Sequence, residues 1–179
     1  MIISPTELAG VALVELEPAR DERGSFTRTF DADCFRAHGL DPRIVQCSTS
    51  FNARAGTLRG LHHQVAPHEE SKLVRCVRGR VFDVVVDLRP ASPTHRRWVG
   101  VELSADGARS LFVPAGCAHG FQTLVDDSEV LYQITAPYMP SAARGVRWDD
   151  PAFAIRWPRP PGGERLMSAR DREHPDYTA

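Results

Sequence analysis

The stretch RVFDVVVDLR, residues 80–89, decides the fold class of this chain. Its residues alternate in character, and the side chains of a β-strand point alternately to its two faces. The pattern therefore predicts a strand with one apolar face and with Asp83, Val85 and Asp87 on the other. Such a strand either lines a polar cavity or borders water. The predicted apolar face consists of Phe82, Val84, Val86 and Leu88.

Short runs of this kind recur along the chain between Gly, Pro, Asp and Ser residues, which is typical of a β-sandwich or barrel. One helix is predicted at residues 31–38, where Asp31 can cap its start and Gly39 can end it. A loop is predicted at 158–163, and we expect one all-β domain over residues 1–179 with one or two short helices. The predicted strands cover residues 11–17, 25–30, 43–50, 57–64, 72–79, 80–89, 97–104, 110–114, 120–125 and 129–135.

The composition is that of an ordinary globular protein. The 179 residues are 42% hydrophobic and 25% charged, and the formal net charge is -1. These values give no support for a nucleic-acid or membrane partner. The first residues contain neither a basic leader nor a long apolar stretch, so we expect a cytoplasmic protein. The four cysteines, at positions 34, 47, 76 and 117, lack the spacing of a metal or redox motif.

Lysine is unusually rare in this chain. The 22 basic residues comprise 21 arginines and one lysine, Lys72. Arginine cannot replace lysine where chemistry needs a compact, flexible ammonium group, so Lys72 is a candidate functional residue. On its predicted strand Lys72 shares a face with Val74 and Cys76, and it either reaches water at the strand end or points into a cavity. Tyr132 shares a face with Val130, which is typical of a core tyrosine whose hydroxyl has a partner.

Two histidines stand side by side in LRGLHH, residues 58–63, and another lies in VPAGCAHGF, residues 113–121. This layout is similar to that of metal-binding cupin barrels, which use a His-x-His pair, an acid and a later His. Adjacent strand residues point to opposite faces, so the two neighbouring histidines cannot easily reach one ion. We therefore expect no metal. The incomplete candidate set consists of His62, His119 and either Glu69 or Glu70.

Motifs in a fixed order extend from DERG at 21–24 to SARD at 168–171. Together they resemble the dTDP-4-dehydrorhamnose 3,5-epimerase family of metal-free cupins. The resemblance implies a cupin-type jelly-roll barrel and an isomerase of dTDP-rhamnose biosynthesis that uses no cofactor. Its implied substrate is a nucleotide-linked 4-keto-6-deoxysugar. The other motifs are LRGLH (58–62), KLVRC (72–76), VFDVVVDLR (81–89), SPT (92–94), VPAGCAHGF (113–121), VLYQIT (130–135) and RWDDPAFAIRWP (147–158).

The resemblance also assigns roles to individual residues. The family inverts C3 and C5 of the sugar, where a base removes a proton and an acid returns one to the opposite face. By resemblance His62 is the base and Asp171 supports it. Lys72 matches the cation beside the enolate oxygen, and Tyr132 matches the acid. Substrate contacts are implied for Arg23, Phe26, Arg28, Gln46, Ser48, Arg59, His119, Tyr138 and Arg170.

The resemblance further implies a homodimer with exchanged strands, in which Arg23 reaches the diphosphate bound by the neighbouring subunit. Long early strands and the lack of an obvious local partner for Arg23 favour the same arrangement. A monomeric elution profile would contradict this arrangement.

The sequence departs from the family pattern at the nucleotide end of the site. His63 stands where the family has an aromatic residue, Arg28 replaces a glutamate, and Ser48 replaces an asparagine. A further glutamate is missing at 142–144, where the chain has Ala-Ala-Arg. The catalytic set is complete, so these departures leave open which nucleotide and which sugar are bound.

Several functions remain compatible with the sequence alone. A mono-epimerase would use the same residues at C3 or C5 only, and another epimerase could act on a sugar carried by a different nucleotide. A metal-dependent cupin oxygenase or isomerase and a non-enzymatic sugar-nucleotide binding module are more distant alternatives.

The backbone at Gly60 should be irregular. Strict alternation places Arg59 with Leu61 and His63, on the face opposite His62. Both Arg59 and His62 can serve one site only if the strand bends or bulges between them, and glycine permits this. We therefore predict His62 inward near Asp171 and Tyr132, and His63 elsewhere.

Overall fold

The computed structural model describes residues 1–158 and 166–178, so most of the predicted loop at 158–163 lies outside the described residues. Nearly all regular structure in these ranges is β-strand. The helices are α1 (Ala32–Ala37) and α2 (Ala169–Arg172). The strands are β1 (Ile2–Pro5), β2 (Ala12–Glu15), β3 (Ala19–Asp21), β4 (Gly24–Phe26), β5 (Gln46–Asn52), β6 (Leu58–Gln64), β7 (Lys72–Arg78), β8 (Arg80–Asp87), β9 (Trp98–Ser104), β10 (Arg109–Val113), β11 (Cys117–Thr123), β12 (Ser128–Ile134) and β13 (Ala143–Gly145).

Two antiparallel sheets pack face to face. The six-stranded sheet has the order β1-β2-β10-β7-β12-β5, and the five-stranded sheet has the order β13-β6-β11-β8-β9. Burial of apolar side chains between the inner faces drives this packing. The predicted all-β class with two short helices is confirmed. The core between the sheets includes Val74, Cys76 and Val130 from the larger sheet and Val85 and Phe121 from the smaller one.

Strand β8 has the two faces that its sequence predicts. Val84 and Val86 lie on the outer face of the five-stranded sheet, where Phe153 and Trp157 of the C-terminal segment cover them. Asp83 lies on the inner face and is fully buried. Strand β8 therefore does not border water on this face, because Asp83 and Val85 lie in the protein interior between the sheets.

The first third of the chain differs from the prediction. The predicted strand at 25–30 ends at Phe26, because Phe30 packs on Phe35 of α1 with 4.9 Å between ring centroids. The early strands are short, with three or four residues each in β1 to β4, which corrects the expectation of long strands. Helix α1 matches its prediction, because Asp31 accepts hydrogen bonds at its start and Gly39 follows with φ of 70°.

Strands β3 and β4 form a separate two-stranded sheet whose residues are all exposed. This hairpin carries Arg23 in its turn and Phe26 at its end, and Phe26 is 75% exposed. Within the described residues, no helix is long and apolar enough to span a membrane.

Candidate active site

One extra residue in β6 places two predicted site residues on the same face of the strand. Arg59 lies opposite Phe121 of β11, and His62 lies opposite His119, so three steps along β6 match two along β11. Because of the extra residue, the side chains of Arg59 and His62 point to the same face of the sheet, although strict alternation would place them on opposite faces. The irregularity is centred on Gly60, which has a φ of 118° and precedes a cis peptide bond. The predicted irregular backbone at Gly60 is confirmed.

Replacing Gly60 with alanine is expected to destabilise the fold strongly. A Cβ atom there would lie 2.6 Å from the Cα of Gly120 and 2.8 Å from the carbonyl oxygen of His119, both backbone atoms. Overpacking and the strained φ should together lower the free energy of unfolding by about 2–6 kcal/mol, measured by chemical denaturation. Gly24→Ala is the matched control, because Gly24 has a φ of 127° but nothing within 4 Å of the added Cβ. Equal losses in both variants would contradict a role for the close approach of β6 to β11.

His62 and Asp171 form a hydrogen-bonded pair that joins β6 to α2. The Nε2 atom of His62 lies 2.8 Å from Oδ1 of Asp171, and the backbone N–H of Gly60 donates to Oδ2 at 3.2 Å. Burial of the Asp171 carboxylate acts to raise its pKa, but the hydrogen bonds from His62 and Gly60 outweigh this and lower it. Asp171 is therefore anionic at neutral pH. It holds a histidine whose side chain is 46% exposed toward the cavity.

Lys72 lies beside this pair and is itself paired with a carboxylate. Its Nζ donates to the carbonyl oxygen of His62 at 3.3 Å and lies 2.9 Å from Oε1 of Glu70. The side chains of Lys72 and Glu70 are only 12% and 6% exposed. A buried ammonium held by two oxygens is positioned in advance, so it can meet developing negative charge without reorganisation.

Tyr132 and His119 lie together on the cavity wall, and Asp83 supports His119 from the protein interior. His119 Nε2 lies 2.9 Å from Oδ2 of Asp83, and its ring meets the ring of Tyr132 edge-on at 5.9 Å between centroids. Burial of the phenol raises the pKa of Tyr132, the Asp83 carboxylate adds to this rise, and Arg59 opposes it. Tyr132 therefore carries its proton at neutral pH. Arg59 is held by Asn52, whose Oδ1 accepts from its Nε at 2.7 Å.

These side chains surround one cavity of about 400 Å³. A second cavity of about 280 Å³ adjoins it, and the two share His62, Lys72, Ile134 and Arg170. The predicted catalytic residues His62, Lys72, Tyr132 and Asp171 all line the first cavity, together with Arg59, His119 and Arg170. Gln46 and Tyr138 line the second.

Four predicted substrate contacts line neither cavity of this chain. Arg23 and Phe26 lie on the exposed β3–β4 hairpin, and Arg28 pairs with Asp31 at 3.0 Å. Ser48 faces solvent on β5. The expectation that Arg23 has no local partner is wrong, because its guanidinium is paired at the surface with Asp21, two residues earlier in the hairpin.

His63 does not line the first cavity with His62, Asp171 and Tyr132. It lines the second cavity, which His62 also borders. Burial, with the charge of Lys72 nearby, lowers the pKa of His63 to about 4. His63 is therefore neutral at physiological pH.

Sequence reasoning missed the residues that hold the predicted ones in place. Asp83 was identifiable from the alternation of β8, and Glu70 from its position two residues before Lys72. Nothing local indicates that Asn52 holds Arg59. Two of the metal ligands considered from the sequence are therefore already paired. His119 is paired with Asp83, and Glu70 is paired with Lys72.

The chain is similar to known proteins over most of its length. The model of the dTDP-4-dehydrorhamnose 3,5-epimerase family matches residues 5–179. A dTDP-4-dehydrorhamnose 3,5-epimerase from Sinorhizobium fredii is 45% identical over 159 residues, which cover 89% of this chain and 82% of the relative. The crystal structure of the Bacillus anthracis enzyme of that name, with TDP and PPi bound, superposes with a TM-score of 0.93 at 38% identity and covers 98% of this chain and 99% of its own. A 3'-monoepimerase from Streptomyces bikiniensis, in complex with dTDP-quinovose, superposes with a TM-score of 0.87 at 33% identity, covering 96% of this chain and 86% of its own.

Proposed function

Because this chain belongs to the dTDP-4-dehydrorhamnose 3,5-epimerase family, and is thus an isomerase with a cupin-type jelly-roll fold, we propose that residues 1–179 act as one epimerase domain. Its substrate is a nucleotide-linked sugar, proposed here as a 4-keto-6-deoxysugar of the dTDP-4-keto-6-deoxyglucose type that is inverted at C3 and C5. The observation that carries the proposal is the single cavity that His62, Lys72, Tyr132 and Asp171 line together. A cytoplasmic location agrees with this biosynthetic role.

His62 is the proposed base. Hydrogens at C3 and C5 are acidic because each carbon neighbours the C4 ketone, which accepts the electron pair when a proton leaves. With its Nε2–H donated to Asp171, His62 keeps a lone pair on Nδ1 for this proton. The anionic Asp171 then stabilises the imidazolium that results.

Lys72 is the proposed stabiliser of the enolate. The electron pair moves from the C–H bond to the C4 oxygen, which becomes negatively charged. An ammonium already held by the His62 carbonyl and by Glu70 can donate to this oxygen as the charge develops. No bound ion or cofactor enters this step.

Tyr132 is the proposed acid. It lines the cavity with His62 but projects from β12, in the opposite sheet, so the two groups approach the sugar from different sides. Proton removal on one side and return on the other inverts the carbon. The raised pKa of Tyr132 keeps it protonated until the strongly basic enolate forms.

The second cavity is the proposed nucleotide side of the site. Gln46 and Tyr138 line it, and Arg170 lies between it and the sugar cavity. The exposed hairpin with Arg23 and Phe26 would reach such a site in a homodimer with exchanged strands, since it lines neither cavity of its own chain. Size-exclusion chromatography with light scattering should give a dimer, and a monomeric mass would remove the basis for this contact.

The function is tested by incubating the protein with dTDP-4-keto-6-deoxyglucose in deuterated water. Deuterium should enter at both C3 and C5 of the inverted product. Deuterium at one carbon alone would identify a mono-epimerase, the activity named for the similar Streptomyces bikiniensis structure. Absence of exchange with this sugar carried by dTDP, UDP, GDP and CDP would refute the proposal.

Replacing Tyr132 with phenylalanine should separate proton removal from inversion. The base remains, so His62 can still take a proton and return a solvent deuteron to the same face. We expect deuterium in recovered substrate, while net inversion falls by about 10²–10⁴-fold. Tyr138→Phe is the control, because Tyr138 lines the nucleotide side and should retain inversion chemistry. Equal loss of exchange and inversion in the Tyr132 variant would assign the acid role elsewhere.

A further inference from the structure

A second histidine lies within reach of the His62–Asp171 pair. His174 follows Asp171 by three residues, about one helical turn, and its Nε2 lies 4.0 Å from Oδ1 of Asp171. One ligand atom from each of His62, Asp171 and His174 can be chosen so that all three lie within 4.8 Å of one another. No other group of three His, Cys, Asp or Glu residues in the described part of the chain meets this condition.

The Nε2 atom of His174 is buried and has no hydrogen-bond partner among the described residues. Its side chain is 12% exposed and packs directly over Gly145 of β13, where a Cβ would lie 2.2 Å from Nε2. A buried polar atom without a partner is costly, and a neutral ring nitrogen is the form that binds metal ions.

The three groups suit a transition metal of the zinc class. Two imidazoles and one carboxylate, with an open fourth position, form a known zinc coordination set. Ligand atoms around tetrahedral zinc lie about 3.3 Å apart for bonds of about 2.0–2.1 Å. The distance between His62 Nε2 and Asp171 Oδ1 must widen from 2.8 Å, and the distance between His174 Nε2 and Asp171 Oδ1 must shorten from 4.0 Å. Each of these two changes is less than about 1 Å. Three cations, Arg59, Lys72 and Arg170, line the cavity that His62 and Asp171 line. Lys72 is neutralised by Glu70, which leaves Arg59 and Arg170 as the opposing charges.

We propose that His62, Asp171 and His174 bind a divalent zinc-class ion, and that this ion inhibits the enzyme. The ion takes the place of the proton on Nε2 that His62 shares with Asp171. The neutral ring keeps one proton, now on Nδ1, so the proposed base no longer has a lone pair for the substrate. The inhibition rests on the proposed function, whereas the metal site itself does not. The ion would enter through the cavity that exposes His62.

Titration of the metal-free protein with Co²⁺, followed by visible absorption, tests the site without any turnover. We expect one ion per chain, and His174→Ala should bind it at least about 10-fold more weakly. His174→Asn serves as a second variant that keeps a polar group of moderate size over Gly145, and thermal melting verifies that both are folded. His38→Ala is the matched control, since the half-buried Cys34 and the exposed His38 lie 4.0 Å apart and could hold an ion independently.

Epimerisation is then measured with Zn²⁺ present, each variant relative to its own rate in EDTA. Zinc should inhibit the wild-type protein and His38→Ala at the same concentration, and the His174 variants should need at least about 10-fold more. Equal Co²⁺ affinity in wild type and both His174 variants, or binding lost only in His38→Ala, would overturn the site. Absence of epimerisation would refute the proposed function, yet the Co²⁺ titration would still decide the metal site.

Discussion

Asparagine in place of His62 is expected to lower the epimerisation rate by about 10²–10⁴-fold, the usual contribution of a positioned general base. The amide can still donate a hydrogen bond to Asp171, so β6 and α2 stay joined by a hydrogen bond at the place of the 2.8 Å one. The proton acceptor of the imidazole ring is lost. Deuterium entry at C3 and C5 should fall together with turnover, because no exchange precedes proton removal. Steady-state rates and mass analysis of recovered substrate measure both.

Two variants control this result. His38→Asn changes an exposed histidine of α1's C-terminal end, 24 residues from His62 in the sequence, and should leave the rate unchanged. Asp171→Asn keeps the base but removes the charge that stabilises its protonated form, so an intermediate loss is expected. Nucleotide affinity of His62→Asn, measured by calorimetry, should stay near that of the wild type. If affinity fell as far as the rate did, His62 would be a binding residue rather than the base.

Arginine in place of Lys72 should lower the rate by about 10²–10³-fold although the charge is kept. The planar guanidinium is larger than the ammonium and offers its donors in a fixed fork. It cannot occupy the space between the His62 carbonyl and Glu70 and also point a single N–H at the C4 oxygen. The measurement is kcat with saturating substrate, since a preorganised electrostatic contact acts on the transition state. Retention of the wild-type rate would show that charge alone suffices.

The methionine variant of Lys72 separates chemistry from stability. Lys72→Met leaves the carboxylate of Glu70 buried without its cation, which costs about 3–5 kcal/mol of unfolding free energy. Adding Glu70→Gln removes that charge and should recover most of the stability, as measured by denaturation. Turnover should stay low in the double variant, because no cation remains near the enolate. Recovery of turnover together with stability would mean that Lys72 acts only as a structural partner of Glu70.

Local patterns in the sequence predicted the parts of the fold that depend on alternation and capping. Residues 80–89 show both faces in the sequence because each face has its own environment, one under the C-terminal segment and one in the barrel interior. Asp31 and Gly39 marked α1 because capping is a local interaction. The bulge at Gly60 followed from a conflict, since Arg59 and His62 could serve one site only if alternation broke between them.

The remaining features depend on contacts between distant residues, for which the sequence has no local signal. His62 meets Asp171 across 109 positions, and family resemblance rather than periodicity identified the pair. His63 lines a cavity whose extent depends on where β6 ends against β13. The alternation of side chains along one strand does not predict where its partner strand ends.

The tie between β6 and α2 has a consequence for the order in which the protein becomes active during synthesis. Chains emerge from the ribosome N-terminus first, and all strands of both sheets precede Asp171 in the described structure. The barrel can therefore assemble around its cavity while His62 still lacks its carboxylate and the Gly60 N–H still lacks its acceptor. Catalytic competence is then the last property that the nascent chain acquires, after the sheets themselves have formed.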